Sequence, residues 1–143
     1  MDQYYFATLE RIKHLRTQVC DAGLNAPEAF FLADGDVLRT CYNGIGPDRW
    51  SSRCRGFVTG LLRWFEPEAL IHDWEYTYQP KTYRAFTVAN LRLAWNGVKF
   101  AFFLHGWDRE AFQQAKRAVV LALLCQLFGW SGYQQAAPLN SKE

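Results

Sequence analysis

The segment Ala69-Leu70-Ile71-His72-Asp73-Trp74-Glu75-Tyr76 places a histidine and an aspartate side by side in the middle of an apolar run. Pro67 stands just before it, at a position that suits the first turn of a helix, and acidic residues on either side of that proline complement the helix dipole. Pro80 cannot continue a helix beyond this segment. We therefore predict a helix over residues 66–79.

Helical periodicity extends to both sides of this segment. Apolar residues recur at threes and fours over residues 2–22, 83–104 and 108–128, which predicts three further helices. Glycines, prolines and aspartates interrupt any such period over residues 24–64, so we expect a long glycine-containing loop there, with short strands at most. The polar residues 134–143 are expected to form a frayed tail.

The length and composition fit one domain over residues 1–143. Half of the 143 residues are apolar, which is enough to bury a core. The sequence thus predicts a mainly α fold in which helices 66–79 and 83–104 pack antiparallel as the two core helices. These two helices would hold the His-Asp dyad between them.

Charge and hydropathy exclude several classes of protein. The formal net charge is +2 and the basic residues are scattered, so nucleic acid is not an expected partner. The start of the chain lacks the basic and apolar pattern of a signal peptide. The longest apolar runs are too short to cross a bilayer of ~30 Å. We expect a soluble chain without a transmembrane segment, located in the cytoplasm.

The four cysteines, Cys20, Cys41, Cys54 and Cys125, have neither a C-x-x-C pair nor the spacing of a zinc site. We expect mostly buried, reduced thiols. A Cys41–Cys54 disulfide is the alternative.

The His-Asp dyad combines two kinds of chemistry. His72 and Tyr76 are four residues apart and share a helix face, while Asp73 points about 100° round the helix. Histidine is suited to act as a general base near neutral pH, and an aspartate can hold a hard cation such as calcium. The alternative is that His72 forms a hydrogen bond inside the core and Asp73 is solvated.

A glycine-rich stretch, Cys41-Tyr42-Asn43-Gly44-Ile45-Gly46-Pro47, precedes the dyad. Glycines at alternate positions let the backbone turn its carbonyl oxygens inward, which is one way in which a loop binds calcium. A simple tight turn is the alternative for this stretch taken alone.

Together, Tyr-x-Gly-x-Gly followed by His-Asp-x-x-Tyr resembles the motifs of the phospholipase A2 superfamily, in particular its viral and prokaryotic members. The resemblance implies that the carbonyl oxygens of Tyr42, Gly44 and Gly46 bind Ca²⁺ together with the Asp73 carboxylate. It implies that His72 deprotonates a water molecule that attacks the ester at the second position of a glycerophospholipid, with the cation stabilising the oxyanion.

The same resemblance assigns supporting roles on the two core helices. Tyr76 would belong to the hydrogen-bond network of the site, and the next helix should carry an aspartate that orients the histidine. The chain has Asn90 at this place, which can accept a hydrogen bond but cannot stabilise an imidazolium by charge. Activity would then be reduced or absent, unless Glu75 or Asp108 supplies the carboxylate.

The chain also departs from the family around the glycine loop. The distance from Gly46 to His72 is longer than in the family because residues 48–65 are inserted, and Asn43 stands where the family has a cysteine. The two motifs cover about a third of the chain.

A second resemblance is to small uncharacterised phage and prophage proteins with an Ala-x-x-His-Asp-x-x-Tyr helix and a Leu-Phe-Gly-Trp ending like residues 127–130. It implies an alternative function: a non-catalytic particle or interaction protein with a host or phage protein as partner. Such a chain could be delivered by a phage or a secretion system. Neither resemblance predicts an oligomeric state for this chain.

One cluster of basic and aromatic residues suits the predicted partner, a phospholipid or membrane surface. Arg49, Arg53 and Arg55 alternate with Trp50 and Phe57. Such a surface could contact lipid head groups, and a solvated loop is the alternative.

Overall fold

The structure is a computed structural model that describes residues 8–41 and 66–138. Within these two ranges all regular secondary structure is helical, which confirms the mainly α prediction. The helices are α1 (Leu9–Asp21), α2 (Glu28–Leu32), α3 (Gly35–Cys41), α4 (Glu66–Tyr78), α5 (Tyr83–His105), α6 (Arg109–Phe128) and α7 (Trp130–Gln135).

Helix α1 begins later than its apolar spacing predicted. Thr8 has an extended backbone, and its Oγ1 accepts a hydrogen bond of 3.1 Å from the backbone N–H of Arg11, so Thr8 is the N-cap. The prediction of one continuous helix over residues 2–22 is therefore wrong at Thr8, because apolar periodicity does not show where a capping side chain begins a helix. Residues 2–7 lie outside the described part of the chain. Ile12, Leu15 and Val19 form the buried side of α1.

The predicted loop contains two short helices. Helices α2 and α3 lie inside residues 24–64, so the prediction of irregular chain with short strands is wrong for residues 24–41, and residues 42–64 lie outside the described part. Helices of five and seven residues are too short to show a clear period in sequence. Phe30, Leu38 and Cys41 bury their side chains in one core cluster with residues of α1 and α4.

Helices α4 and α5 pack antiparallel, as predicted, and their bounds differ from the prediction by one residue at a single end of each. His72 faces Asn90, and one turn later Tyr76 packs against Phe86 with ring centroids 5.9 Å apart. Residues later in α4 therefore contact residues earlier in α5. The short connection of residues 79–82 imposes this arrangement.

Helix α6 completes a long hairpin with α5. Asp108 is its N-cap, as the sequence predicted, with an Oδ1 that accepts a hydrogen bond of 3.0 Å from the backbone N–H of Ala111. Leu93 of α5 is buried against Ala118, Leu121 and Ala122 of α6. The two small alanine side chains give large side chains of the facing helix room to pack.

Helix α7 was not predicted, and the expected tail from residue 134 begins inside it. Tyr133 explains why this helix forms: its side chain is fully buried, its ring packs at 4.9 Å from that of Tyr76, and its hydroxyl donates to the Pro80 carbonyl. These contacts fix α7 across the end of the α4–α5 pair. A packing contact of this kind leaves no periodic signal in six residues.

Among the described residues, no helix combines the length and the apolar character that a membrane crossing requires. Cys20, Cys41 and Cys125 are free thiols. The alternative of a Cys41–Cys54 disulfide is therefore wrong. Only Cys41 is buried, since Cys20 is exposed and Cys125 half-buried.

Candidate functional site

His72 lies in the middle of α4 and points its ring at α5. Its Nε2 is 2.8 Å from Oδ1 of Asn90, and the hydroxyl of Tyr76 donates to the same oxygen, also at 2.8 Å. An amide oxygen only accepts hydrogen bonds, so Nε2 carries the imidazole proton and Nδ1 keeps its lone pair. Three of the four site residues that the sequence predicted on α4 and α5, namely His72, Tyr76 and Asn90, are therefore brought together around one oxygen atom, and Asp73 is not among them.

A second set of contacts fixes the orientation of Asn90. Its Nδ2 donates a hydrogen bond of 2.8 Å to Oε1 of Gln126 on α6. Nε2 of Gln126 in turn donates to the hydroxyls of Tyr83 and Thr87, each at 3.1 Å. A chain of hydrogen bonds thus crosses three helices and holds Oδ1 towards His72. Gln126 was not predicted; its signal in the sequence is a polar side chain in the apolar second half of α6.

Aromatic rings and one glycine surround the tyrosine of this network. The rings of His72 and Tyr76 are 4.1 Å apart, and Tyr133 covers Tyr76 from α7. A Cβ at Gly129 would lie 2.4 Å from the carbonyl oxygen of Cys125 and 3.0 Å from the Tyr76 hydroxyl. Glycine is therefore required between α6 and α7, and this requirement gives a physical reason for the glycine of the Leu-Phe-Gly-Trp sequence.

Burial sets the protonation states of the network. It lowers the pKa of His72 to about 4, although the hydrogen bond that Nε2 donates to Asn90 acts in the opposite direction. Burial likewise raises the pKa of Tyr76 well above its usual range. At neutral pH the site holds a neutral imidazole and a neutral phenol, and His72 remains 8% exposed, which leaves a small opening to solvent.

Asp73 is half-buried on α4. Burial is the main reason why the pKa of Cys41 is raised, and the negative charge of Asp73 raises it further. The same charge contributes to the raised pKa of Cys125 on α6. Cys41 is the last residue of α3 and directly precedes Tyr42, so the charge of Asp73 acts on the residue next to the first predicted carbonyl ligand.

The other predicted calcium ligands belong to the glycine-rich stretch. Tyr42, Gly44 and Gly46 lie outside the described residues, as does the basic and aromatic cluster of residues 49–57. Carboxylate and carbonyl oxygens are the donors that a hard cation such as Ca²⁺ prefers, so the chemistry of the predicted ligands suits this ion. Among residues 8–41 and 66–138, no three His, Cys, Asp or Glu side chains cluster in a way that could hold a metal ion.

The two carboxylates considered as substitutes for the missing aspartate are engaged elsewhere. Glu75 is buried and accepts a hydrogen bond of 2.5 Å from Nη1 of Arg92, whose Nε donates to Oδ1 of Asn25 at 2.7 Å. Asp108 caps α6. The suggestion that either orients His72 is therefore wrong, and among the described residues Asn90 fills that position.

Two further acidic side chains of α4 are perturbed by burial. Burial raises the pKa of Glu75 to about 7, although the Arg92 guanidinium acts in the opposite direction. Glu68, one turn before His72, is fully buried, and neither of its oxygens has a hydrogen-bond partner among the described residues. Burial raises the pKa of Glu68 well above its usual range and so favours the neutral form of this carboxyl group. No pattern in the sequence predicted that α4 buries these two residues.

The fold and the site together define a class: a small helical domain whose two antiparallel core helices carry a buried His-Tyr-Asn hydrogen-bond network. No family model matches the chain, and no curated protein or solved structure matches it either.

Proposed function

We propose that this chain hydrolyses the ester bond of a phospholipid in a calcium-dependent reaction, with His72 as the general base. The observation that carries the proposal is the contact of 2.8 Å between Nε2 of His72 and Oδ1 of Asn90. It leaves Nδ1 as the basic nitrogen of a neutral, oriented imidazole, which is the state that a general base needs before the reaction.

In the reaction, Nδ1 of His72 accepts a proton from a water molecule while the water oxygen attacks the ester carbonyl carbon. The proton then passes from Nδ1 to the departing alcohol oxygen, so that a fatty acid and a lysophospholipid are released. Asn90 and Tyr76 hold the ring in place throughout. Because Asn90 is neutral and the pKa of His72 is about 4, the imidazolium formed in this step is poorly stabilised, and we expect slow turnover.

Calcium would be held by the Asp73 carboxylate and the carbonyl oxygens of Tyr42, Gly44 and Gly46. When bound there, the cation would supply positive charge to the oxygen of the attacked carbonyl. The effect of the Asp73 charge on Cys41, which directly precedes Tyr42, supports this assignment.

The test is release of fatty acid from mixed phospholipid vesicles, with His72→Gln as the matched variant. Glutamine can still donate a hydrogen bond to Asn90 but has no basic nitrogen. We expect release to require calcium and to fall at least about 100-fold in His72→Gln. Equal release by the two proteins would rule out His72 as the base.

Calcium binding is tested separately by thermal unfolding. Calcium should raise the melting temperature of the wild type, because a ligand stabilises the state that binds it. Asp73→Asn should need a higher calcium concentration for the same shift. An unchanged melting temperature in the wild type would contradict the calcium site.

A second candidate is a non-catalytic interaction or particle protein of a phage or prophage that retains this scaffold. The observation in its favour is that the buried Asn90 side chain is fully occupied in holding α4, α5 and α6 together. This candidate predicts a stable protein that releases no fatty acid and whose melting temperature does not respond to calcium. The two assays above therefore separate the candidates.

A further inference from the structure

The α5–α6 hairpin has a large apolar surface on the side that points away from α4. Its large side chains are between 56% and 86% exposed. We call this surface the hairpin face; it consists of Leu91, Trp95, Trp107, Phe112, Leu123 and Leu127.

The residues of the hairpin face form one row on each helix and a pair at the turn of the hairpin. Leu91 and Trp95 are four apart on α5 and lie on one side of that helix, as do Leu123 and Leu127 on α6. At the turn of the hairpin, Trp107 packs at 6.1 Å from Phe112. Leu93 of α5 packs against Ala118, Leu121 and Ala122 of α6, so the two rows belong to neighbouring, directly packed helices.

The area of the hairpin face is that of a protein interface. With aromatic side chains of about 150–250 Å² and leucines somewhat smaller, the exposed fractions correspond to apolar area on the order of 700 Å². The largest apolar patch of a typical monomer is about 300–600 Å². A stable interface takes about 800 Å² from each partner. One copy of the chain therefore offers about what one side of a dimer needs.

The hairpin face is also well separated from the His72 site. Asn90, which contacts His72, and Trp95, which belongs to the face, lie about 140° apart around α5. A bilayer that covered the face would have the His72 site on its far side, away from the lipid. A protein partner that covers it leaves the site accessible.

We propose that a second copy of this chain covers the hairpin face, so that the two α5–α6 hairpins form a four-helix interface. A two-fold symmetric dimer is the commonest assembly of identical chains, and it requires one surface that is complementary to itself. A flat pair of antiparallel helices with apolar side chains meets this requirement. Lys116 lies beside Phe112 on the face, and its long side chain can reach the solvent at the rim.

The test is the mass of the full chain in sedimentation experiments from about 1 to 100 μM, without calcium. We expect a dimer of the 16.6 kDa chain in the wild type and in His72→Gln, so the result does not depend on catalysis. Leu91→Glu should raise the dissociation constant of the dimer at least tenfold, because it would bury a carboxylate in an apolar interface. Leu127→Glu is the second variant, in case the first does not fold.

The matched control is Leu32→Glu, since Leu32 on α2 is 78% exposed and lies outside the hairpin face. It should leave the dimer unchanged. A wild-type chain that remains monomeric at 100 μM would overturn the proposal. Anionic vesicles provide a further outcome: a monomer that binds them through the face, and loses this binding in Leu91→Glu, would assign the face to lipid instead.

Discussion

Replacing His72 by glutamine removes the imidazole from the Asn90 network while keeping a donor towards Oδ1 of Asn90. The wild type buries a neutral ring whose pKa is lowered to about 4. In the unfolded chain a histidine has a pKa of about 6.5. The two proteins should therefore respond differently to acid.

The direction in which pH changes the free energy of unfolding follows from proton binding. Between pH 6.5 and pH 4 the unfolded wild type binds a proton at His72 that the folded protein does not bind, so the free energy of unfolding falls as the pH falls. From these two pKa values, the wild type should lose about 2 kcal/mol between pH 8 and pH 5 through this residue. His72→Gln loses none of this contribution.

Glu75 acts in the opposite direction and must be separated from His72. Its pKa is raised to about 7 in the folded protein, so the stability that it contributes is present at low pH and is lost as the pH rises through 7. The residue is the same in both proteins. Its contribution therefore cancels in the difference between their free energies of unfolding.

The assay is urea unfolding of both proteins at pH 5, 6, 7 and 8. We expect the difference in free energy of unfolding, wild type minus His72→Gln, to become less favourable to the wild type by about 2 kcal/mol between pH 8 and pH 5. Profiles that run parallel over this range would refute the burial of a neutral imidazole. An NMR titration of the His72 ring gives the pKa directly.

Two further substitutions test the neighbours of the site. Asn90→Asp places a carboxylate against Nε2 and should raise the pKa of His72 by about 1–3 units; an NMR titration that shows no shift would mean that the two side chains do not touch. Arg92→Ala leaves the buried Glu75 carboxylate without its cation, so the free energy of unfolding at pH 8 should fall by about 3–5 kcal/mol. At pH 5, where Glu75 is protonated, the loss should be clearly smaller, and equal losses at both pH values would contradict the ion pair.

Features that depend on neighbouring residues could be predicted from the sequence. The bounds of α4 and α5 could be predicted from apolar spacing and from prolines, and the start of α6 from the capping side chain of Asp108. The short connection between α4 and α5 then required an antiparallel pair. His72 and Tyr76 share a face because they are four residues apart, and the resemblance to phospholipases A2 pointed to Asn90 as the partner on α5.

Contacts between side chains of different helices could not be predicted from the sequence and are seen in the folded protein. Gln126, which orients Asn90, lies 36 residues away from it in sequence, and no local pattern links the two. Helices α2, α3 and α7 are too short to show a period and form because Phe30, Leu38 and Tyr133 find buried positions. The burial of Glu75 and the lowered pKa of His72 have the same origin, since the cost of removing a charge from water depends on everything that packs around it.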